Sequence, residues 1–364
     1  MFTQFLRLAR PWHAVLDALA TPHGLDRYLE WIRPTWTRDE VRARLVGKTH
    51  PAPGFVTLHL RPNRSWTGFA AGQHVELAVE IDGVRHARCY SPVGAAPGDG
   101  EIQLTVKRQP GGRVSPWLHD RARVGQVFDL SPARGDFVLP VPRPDRTLLI
   151  SGGSGLTPLL SMLRTLCEEG HEGPVTFLHY AARRGAVPHA AEIDALAAAH
   201  PNVRVVWVFR EESEGSSGDR RFDRGQLRAA DPDWTLAETF VCGPARLMDA
   251  VREVFEADGL SDRLHEESFQ PLRYRVVPDD AAGRVYCERS GVVLENDGRT
   301  LLDQAEAAGL RPAHGCRRGI CHTCVRHMAA GTLRRVDTGA TLTATDVDVQ
   351  LCVHAPAGDV HIDL

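Results

Sequence analysis

Cys316-Arg317-Arg318-Gly319-Ile320-Cys321-His322-Thr323-Cys324 spaces three cysteines as C-x4-C-x2-C, and Cys352 follows after 27 further residues. Four thiolates at this spacing suit a plant-type [2Fe–2S] cluster. Gly315 and Gly319 suit a loop that curls around such a cluster and aims N–H groups at sulfur. Structural zinc instead pairs two C-x2-C knuckles, or one knuckle with two histidines. His314, His322 and His327 stand close by, but the x4 gap and the distant Cys352 fit zinc poorly. A cluster carries one electron at a time, so this segment moves electrons and leaves bond-making to other groups.

The block from 283 to 364 that holds these cysteines opens with a strand pair, followed by a helix over 301–308. Before it, 270–282 reads as a linker carrying Pro271, Pro278 and paired aspartates. Further back, short apolar strands at 147–150, 175–180, 203–209 and 239–241 alternate with helical patterns at 158–169, 190–199 and 245–258, an α/β doubly wound arrangement over 144–269. The polar stretch 211–221 reads as a loop. Between 46 and 143 the segments 55–60, 75–81 and 101–106 alternate apolar and polar residues between Gly/Pro turns, the pattern of a small antiparallel β-barrel. Residues 1–45 read as two short helical patterns around Pro22 and Gly24.

The 364 residues are enough for two or three domains with their own cores. With 43 basic and 46 acidic side chains, the charge balance argues against a nucleic-acid or polybasic membrane protein. The eight cysteines do not suggest a disulfide scaffold, because four are allotted to iron and Cys89, Cys167, Cys242 and Cys287 stand apart. Residues 1–19 are broken by Arg7, Arg10, Pro11 and Asp17 and do not read as a secretory signal. No apolar run long enough to span a bilayer occurs in the sequence. A reducing cytoplasm is the expected location.

Three further motifs carry chemistry. Arg88-Cys89-Tyr90-Ser91-Pro92 ends a barrel strand with a cation for phosphate, a ring that can stack on a flat heterocycle and a hydroxyl for a ring nitrogen. Gly111-Gly112-Arg113-Val114-Ser115 supplies small residues, N–H groups and a hydroxyl suited to a pyrophosphate. Ser151-Gly152-Gly153-Ser154-Gly155-Leu156-Thr157-Pro158 follows a buried strand and opens a helix, where glycines let backbone approach a diphosphate. It is not a G-x-G-x-x-G fingerprint. Cys242-Gly243-Pro244 joins a later strand to the next helix, opening a second gap at the strand carboxyl ends.

Taken in order, these motifs resemble the ferredoxin–NADP reductase superfamily with a ferredoxin domain fused at the C-terminal end. The resemblance covers residues 46–364. It implies a flavin-binding β-barrel (46–143), an α/β nucleotide domain (144–269) and an α+β, β-grasp ferredoxin domain (283–364). It implies that Arg88 meets the flavin pyrophosphate, Tyr90 packs on the ring and Ser91 contacts its N5 edge. Gly112, Val114 and Ser115 correspond to the second phosphate motif, and its length favours FAD over FMN. Gly152, Gly153, Gly155 and Thr157, with Cys242, Gly243 and Pro244, resemble the nicotinamide-nucleotide motifs. Glu267, in Glu267-Ser268-Phe269, matches the carboxylate that the family places near the flavin. Tyr90, Ser91 and Glu267 are the catalytic candidates, and Cys316, Cys321, Cys324 and Cys352 the cluster ligands.

After the second α/β strand, Arg183 and Arg184 favour NADPH, because arginine accommodates a 2′-phosphate where an acidic residue would accept from a ribose 2′-OH. Glu192, further along, keeps NADH open. The function implied is electron transfer from NADPH through FAD and the [2Fe–2S] cluster to a separate oxygenase, hydroxylase or fatty-acyl desaturase. A membrane desaturase as acceptor would call for peripheral association. The alternative is a redox-sensing module with little turnover. Arg317, Arg318, Arg326, Arg334 and Arg335 make the cluster segment basic; they either face an acidic acceptor or pair with Asp337, Asp346 or Asp348.

Overall fold

The computed structural model describes residues 35–37, 40–95, 100–211, 222–269, 282–314, 317, 319, 323–336 and 339–364. The helical patterns expected ahead of residue 35, the loop 212–221, the linker 270–281 and the ligands Cys316 and Cys321 lie outside them.

Six strands make the first sheet: β1 (Val41–Thr49), β2 (Phe55–Pro62), β3 (Val75–Ile81), β4 (Val84–Tyr90), β5 (Ile102–Lys107) and, after the helix α1 (Val114–Asp120), β6 (Val127–Leu130). Their order is β4-β3-β6-β1-β2-β5, with antiparallel pairing throughout. A bridge between Pro92 and Leu104 ties the end of β4 to β5 and curls the sheet on itself. Val41, Ala43, Leu45, Leu58, Leu60, Val75, Leu77 and Leu104 fill its interior. β1 starts at Val41, so this sheet begins inside the segment expected to be a helical extension up to residue 45. The reason is local: Val41-Arg42-Ala43-Arg44-Leu45 alternates buried and half-buried residues, and β2 and β6 claim both its edges.

The second sheet is parallel. Its elements are β7 (Thr147–Gly152), α2 (Leu156–Glu168), β8 (Val175–Ala181), α3 (Ala190–Ala199), β9 (Val203–Phe209), α4 (Arg224–Ala230), β10 (Glu238–Cys242), α5 (Ala245–Ala257) and β11 (Leu264–Glu267). The order β11-β10-β7-β8-β9 places the topological switch between β7 and β10. Ligands of open α/β sheets bind at the strand carboxyl ends at such a switch. α2 and α3 cover one face and α4 and α5 the other. Ala71, Val93, Phe137 and Leu139 join the core under α2, so barrel and parallel sheet share an apolar seam. Ser161 Oγ donates to the Gly94 carbonyl at 2.7 Å across it.

The third sheet is mixed, ordered β13-β12-β16-β14-β15, from β12 (Arg284–Cys287), β13 (Val292–Glu295), β14 (Val325–Arg335), β15 (Thr341–Gln350) and β16 (His354–Ile362). β12 and β16 are parallel, and the helix α6 (Leu301–Ala307) packs Leu301 and Leu302 into the core with Met328, Leu333 and Val360. Thr300 caps α6 by accepting from the Asp303 N–H.

Candidate cofactor-binding site

One cavity of about 610 Å³ collects the motifs. From the barrel come Arg88, Tyr90, Ser91, Thr105, Lys107, Gln109, Gly112, Arg113, Val114 and Ser115; from the parallel sheet, Gly152, Gly153, Ser154, Gly155, Thr157, Gly243 and Pro244. Phe269 and, from the third domain, His314 and Arg317 complete its wall.

The barrel side suits a flavin. Ser91 is buried at 2% exposure, and its Oγ has no hydrogen-bond partner among the described residues. A buried hydroxyl left so costs about 1–3 kcal/mol, which an acceptor on a bound ring would relieve. The Tyr90 phenol is pushed up by burial, despite the opposing Arg88 charge, so it stays neutral. Arg88 is exposed, its guanidinium donating to the Ala87 carbonyl at 2.7 Å. At the second phosphate motif Gly111 takes φ +73, and the Gln109 N–H donates to Ser115 Oγ at 3.0 Å. That leaves the Ser115 proton available to a phosphate oxygen.

The nucleotide side is built by close approach. A Cβ on Gly155 would lie 2.1 Å from the Cys242 carbonyl oxygen, so only glycine lets the first strand-to-helix turn press against the end of β10. Gly153 takes φ +56, and the Lys107 ammonium stands 4.0 Å from where its Cβ would be. Lys107, Gln109 and Thr105 were not singled out from the sequence. Lys107 alternates outward at the end of β5, and only the fold carries it to the glycine turn.

Five residues that the sequence singles out lie outside this wall. Cys242 is buried in the core under α2. Glu267 ends β11 and lies 3.8 Å from His74 Nδ1, both buried, across the seam between sheets. Arg183 is exposed and extended. Arg184 pairs with Asp194 and lies 5.5 Å over the Trp207 ring. Glu192 is held by Arg164 at 2.6 Å and His189 at 3.2 Å. Burial pushes the Glu192 carboxyl up, but these partners outweigh it and keep it below the usual range.

In the third domain Cys324 and Cys352 are buried at 2% and 3% exposure. The Gly319 N–H donates to Cys352 Sγ at 3.2 Å, and the Gly319 carbonyl accepts from Gln350 Nε2 at 2.6 Å. Gly319 takes φ +74. An N–H aimed at a cysteine sulfur is the contact that tunes an iron–sulfur cluster, so the described part of the loop fits one. Of the basic residues, Arg317 pairs with Glu306 and Asp303 on α6. Asp346 and Asp348 instead face His327.

Three family models match in chain order: the oxidoreductase FAD-binding domain over 53–139, the oxidoreductase NAD-binding domain over 149–253 and the 2Fe-2S iron-sulfur cluster binding domain over 285–357. An NADPH oxidoreductase of Mycobacterium tuberculosis is 34% identical over 361 residues, covering 97% of this chain and 93% of that protein. A glycine betaine monooxygenase reductase subunit of Chromohalobacter salexigens is 30% identical over 358 residues, covering 90% of this chain and 96% of its own. The structure of phthalate dioxygenase reductase, a modular structure for electron transfer from pyridine nucleotides to [2Fe–2S], superposes with a TM-score of 0.61 at 23% identity, over 89% of this chain and 97% of that one. Motif order, cavity and full-length relatives agree: the chain belongs to the ferredoxin–NADP reductase superfamily, as a flavoprotein carrying a C-terminal [2Fe–2S] ferredoxin domain.

Proposed function

We propose that this protein is the reductase component of an oxygenase system, taking a hydride from NADPH and delivering single electrons to a separate acceptor. The observation that carries this is the shared cavity, whose wall includes the flavin motifs, both nucleotide turns and two side chains of the cluster domain. When bound, FAD would turn the electron pair of one NADPH into single electrons for the cluster to relay, leaving NADP⁺ and one proton.

Arg88, Lys107 and Arg113 place cations where a diphosphate would lie, and Ser115 adds a hydroxyl. Ser91 offers a desolvated hydroxyl to the ring edge, and the neutral Tyr90 offers its face. The turn at Gly152–Gly155 and the N-terminus of α2 present N–H groups and the helix dipole to the nucleotide diphosphate. Phe269 lines the cavity, while Glu267, two residues earlier, sits 3.8 Å from His74 at the seam between β11 and the barrel. Arg183 reads the 2′-phosphate. Arg184 supports it by packing on Trp207, and Glu192, engaged by Arg164, is not a ribose reader. Cys316, Cys321, Cys324 and Cys352 hold the cluster.

The acceptor is an oxygenase, hydroxylase or fatty-acyl desaturase, and the location a reducing cytoplasm, where thiolate ligands persist. Among the described residues no helix is long and apolar enough to cross a membrane. A membrane-bound desaturase would therefore be met by docking at its surface. The test is steady-state reduction of cytochrome c by NADPH and by NADH. Sustained turnover is expected, with Arg183→Ala raising KM for NADPH far more than for NADH and Arg184→Ala doing so less. Little turnover with either nucleotide would favour the sensor reading, and equal KM changes would remove Arg183 from 2′-phosphate recognition.

A further inference from the structure

The ribbon formed by β3 and β4 borders the flavin cavity and also touches the cluster domain through Glu76. Its register pairs Val75 with Tyr90, Glu76 with Cys89 and Leu77 with Arg88. Successive side chains of a strand point to opposite faces. Arg88 and Tyr90 therefore share a face, while Cys89 and Glu76 are cross-strand neighbours on the other. A second, smaller cavity of about 210 Å³ lies on that other face, lined by His74, Glu76, Cys89, Ser131, Arg134 and Thr323. Cys89 lines both cavities. Thr323 comes from the ferredoxin domain and immediately precedes the buried Cys324. Its Oγ1 donates to Glu76 Oε2 at 3.3 Å. Glu76 is set on a pinned backbone, its N–H donating to Ser131 Oγ and its carbonyl accepting from the Ser131 N–H, each at 2.9 Å.

We propose that Glu76 and Thr323 form a latch that docks the cluster loop on the outer face of the β3–β4 ribbon. Both are positioning residues: they fix how the cluster domain sits against the barrel that would hold the flavin. The proposal rests on the electron-transfer reading above and adds the contact that determines the internal transfer step. Electron tunnelling falls steeply with distance, and Cys89 is a strand residue that lines both cavities. Arg317 and His314 enter the larger cavity from the same loop, so the loop meets the barrel at two points.

The test uses the full-length holoprotein with Glu76→Leu, which keeps much of the side chain's bulk but removes the acceptor, Thr323→Val and the conservative Thr323→Ser. Three quantities are read: bleaching of the flavin on mixing with NADPH, the later reduction of the cluster, and labelling of Cys89 by N-ethylmaleimide, followed by mass spectrometry. Glu76 and Thr323 are not in the larger cavity's wall, so flavin bleaching should stay at the wild-type rate. Cluster reduction should slow severalfold in Thr323→Val, because the cluster loop would no longer be held at its working position against the barrel. Cys89 should label several times faster, and Thr323→Ser should restore both. Wild-type labelling in Glu76→Leu and Thr323→Val would overturn the latch, whatever the transfer rate. Faster labelling with unchanged cluster reduction would overturn the positioning role. Flavin bleaching that falls as far as cluster reduction would place the pair in the flavin site instead. Wild-type protein lacking cluster absorbance would defeat the electron-transfer reading itself, while the labelling comparison would still judge the latch.

Discussion

The end of β4 sets an exposed cation, Arg88, beside a buried hydroxyl, Ser91. On the proposed reading, replacing Arg88 by Ala would remove a charge-assisted bond to a diphosphate, worth about 1.5–3 kcal/mol, or roughly 10- to 150-fold in flavin affinity. The expected outcome is flavin lost on extended dialysis, read as the flavin-to-protein ratio; full retention would remove Arg88 from the site. His179 shows the opposite case, a buried ionisable group outside the cavity. Burial pushes its imidazole down to about 3, and it hydrogen-bonds Ser151 Oγ at 2.7 Å as a neutral ring. The unfolded chain binds a proton near pH 6.5 that the folded state refuses until about 3. Stability from this site is therefore full above about pH 6.5 and declines as pH falls, by on the order of 2 kcal/mol at pH 5. Melting temperature should drop between pH 7.5 and 5, and His179→Gln should flatten that drop. An identical pH profile in the variant would show that His179 is not the group responsible.

At the scale of elements, the turns after β7 and β10 meet so closely that one substitution tests both. Gly155→Ala drives a methyl into the Cys242 carbonyl, 2.1 Å away. Overpacking of this kind costs about 1–3 kcal/mol. The melting temperature should fall and KM for NADPH should rise, with flavin content retained because the barrel is untouched. Unchanged KM would mean that the turn can open without affecting the nucleotide. The strands β3 and β9 and the helix α3 coincide with the spans expected from periodicity, because each is regular over its whole length and bounded by turn residues. The strand β1 lies partly within the span 1–45 whose sequence pattern is helical. Its five alternating residues are a weak signal beside a Leu- and Arg-rich approach, and the edges of β2 and β6 settle the matter.

For the whole molecule, modular cofactors predict separable losses. Cys324→Ser should bleach the cluster's visible absorbance while NADPH still reduces the flavin and ferricyanide turnover largely persists. Loss of flavin reduction in this variant would contradict separate domains for the two redox groups. The cysteine spacing, the Arg88-Tyr90-Ser91 run and the glycine turns were legible in the chain, because each is a local pattern whose chemistry needs neighbours only a few residues apart. Local order also carried the sequence of domains. What lies between those motifs was not legible. Lys107 beside Gly153, Arg317 and His314 in the flavin cavity, and Thr323 on Glu76, 247 residues away in sequence, depend on how three domains pack. The same holds for side chains that the fold draws away from the cavity. Arg184 is taken by Asp194 and Trp207, Glu192 by Arg164, and Cys242 by the core. A sequence pattern specifies which groups are present and the faces they occupy along one element. Only tertiary packing decides which charges find partners inside the protein and which remain for a ligand, because that choice is made across the seams between sheets.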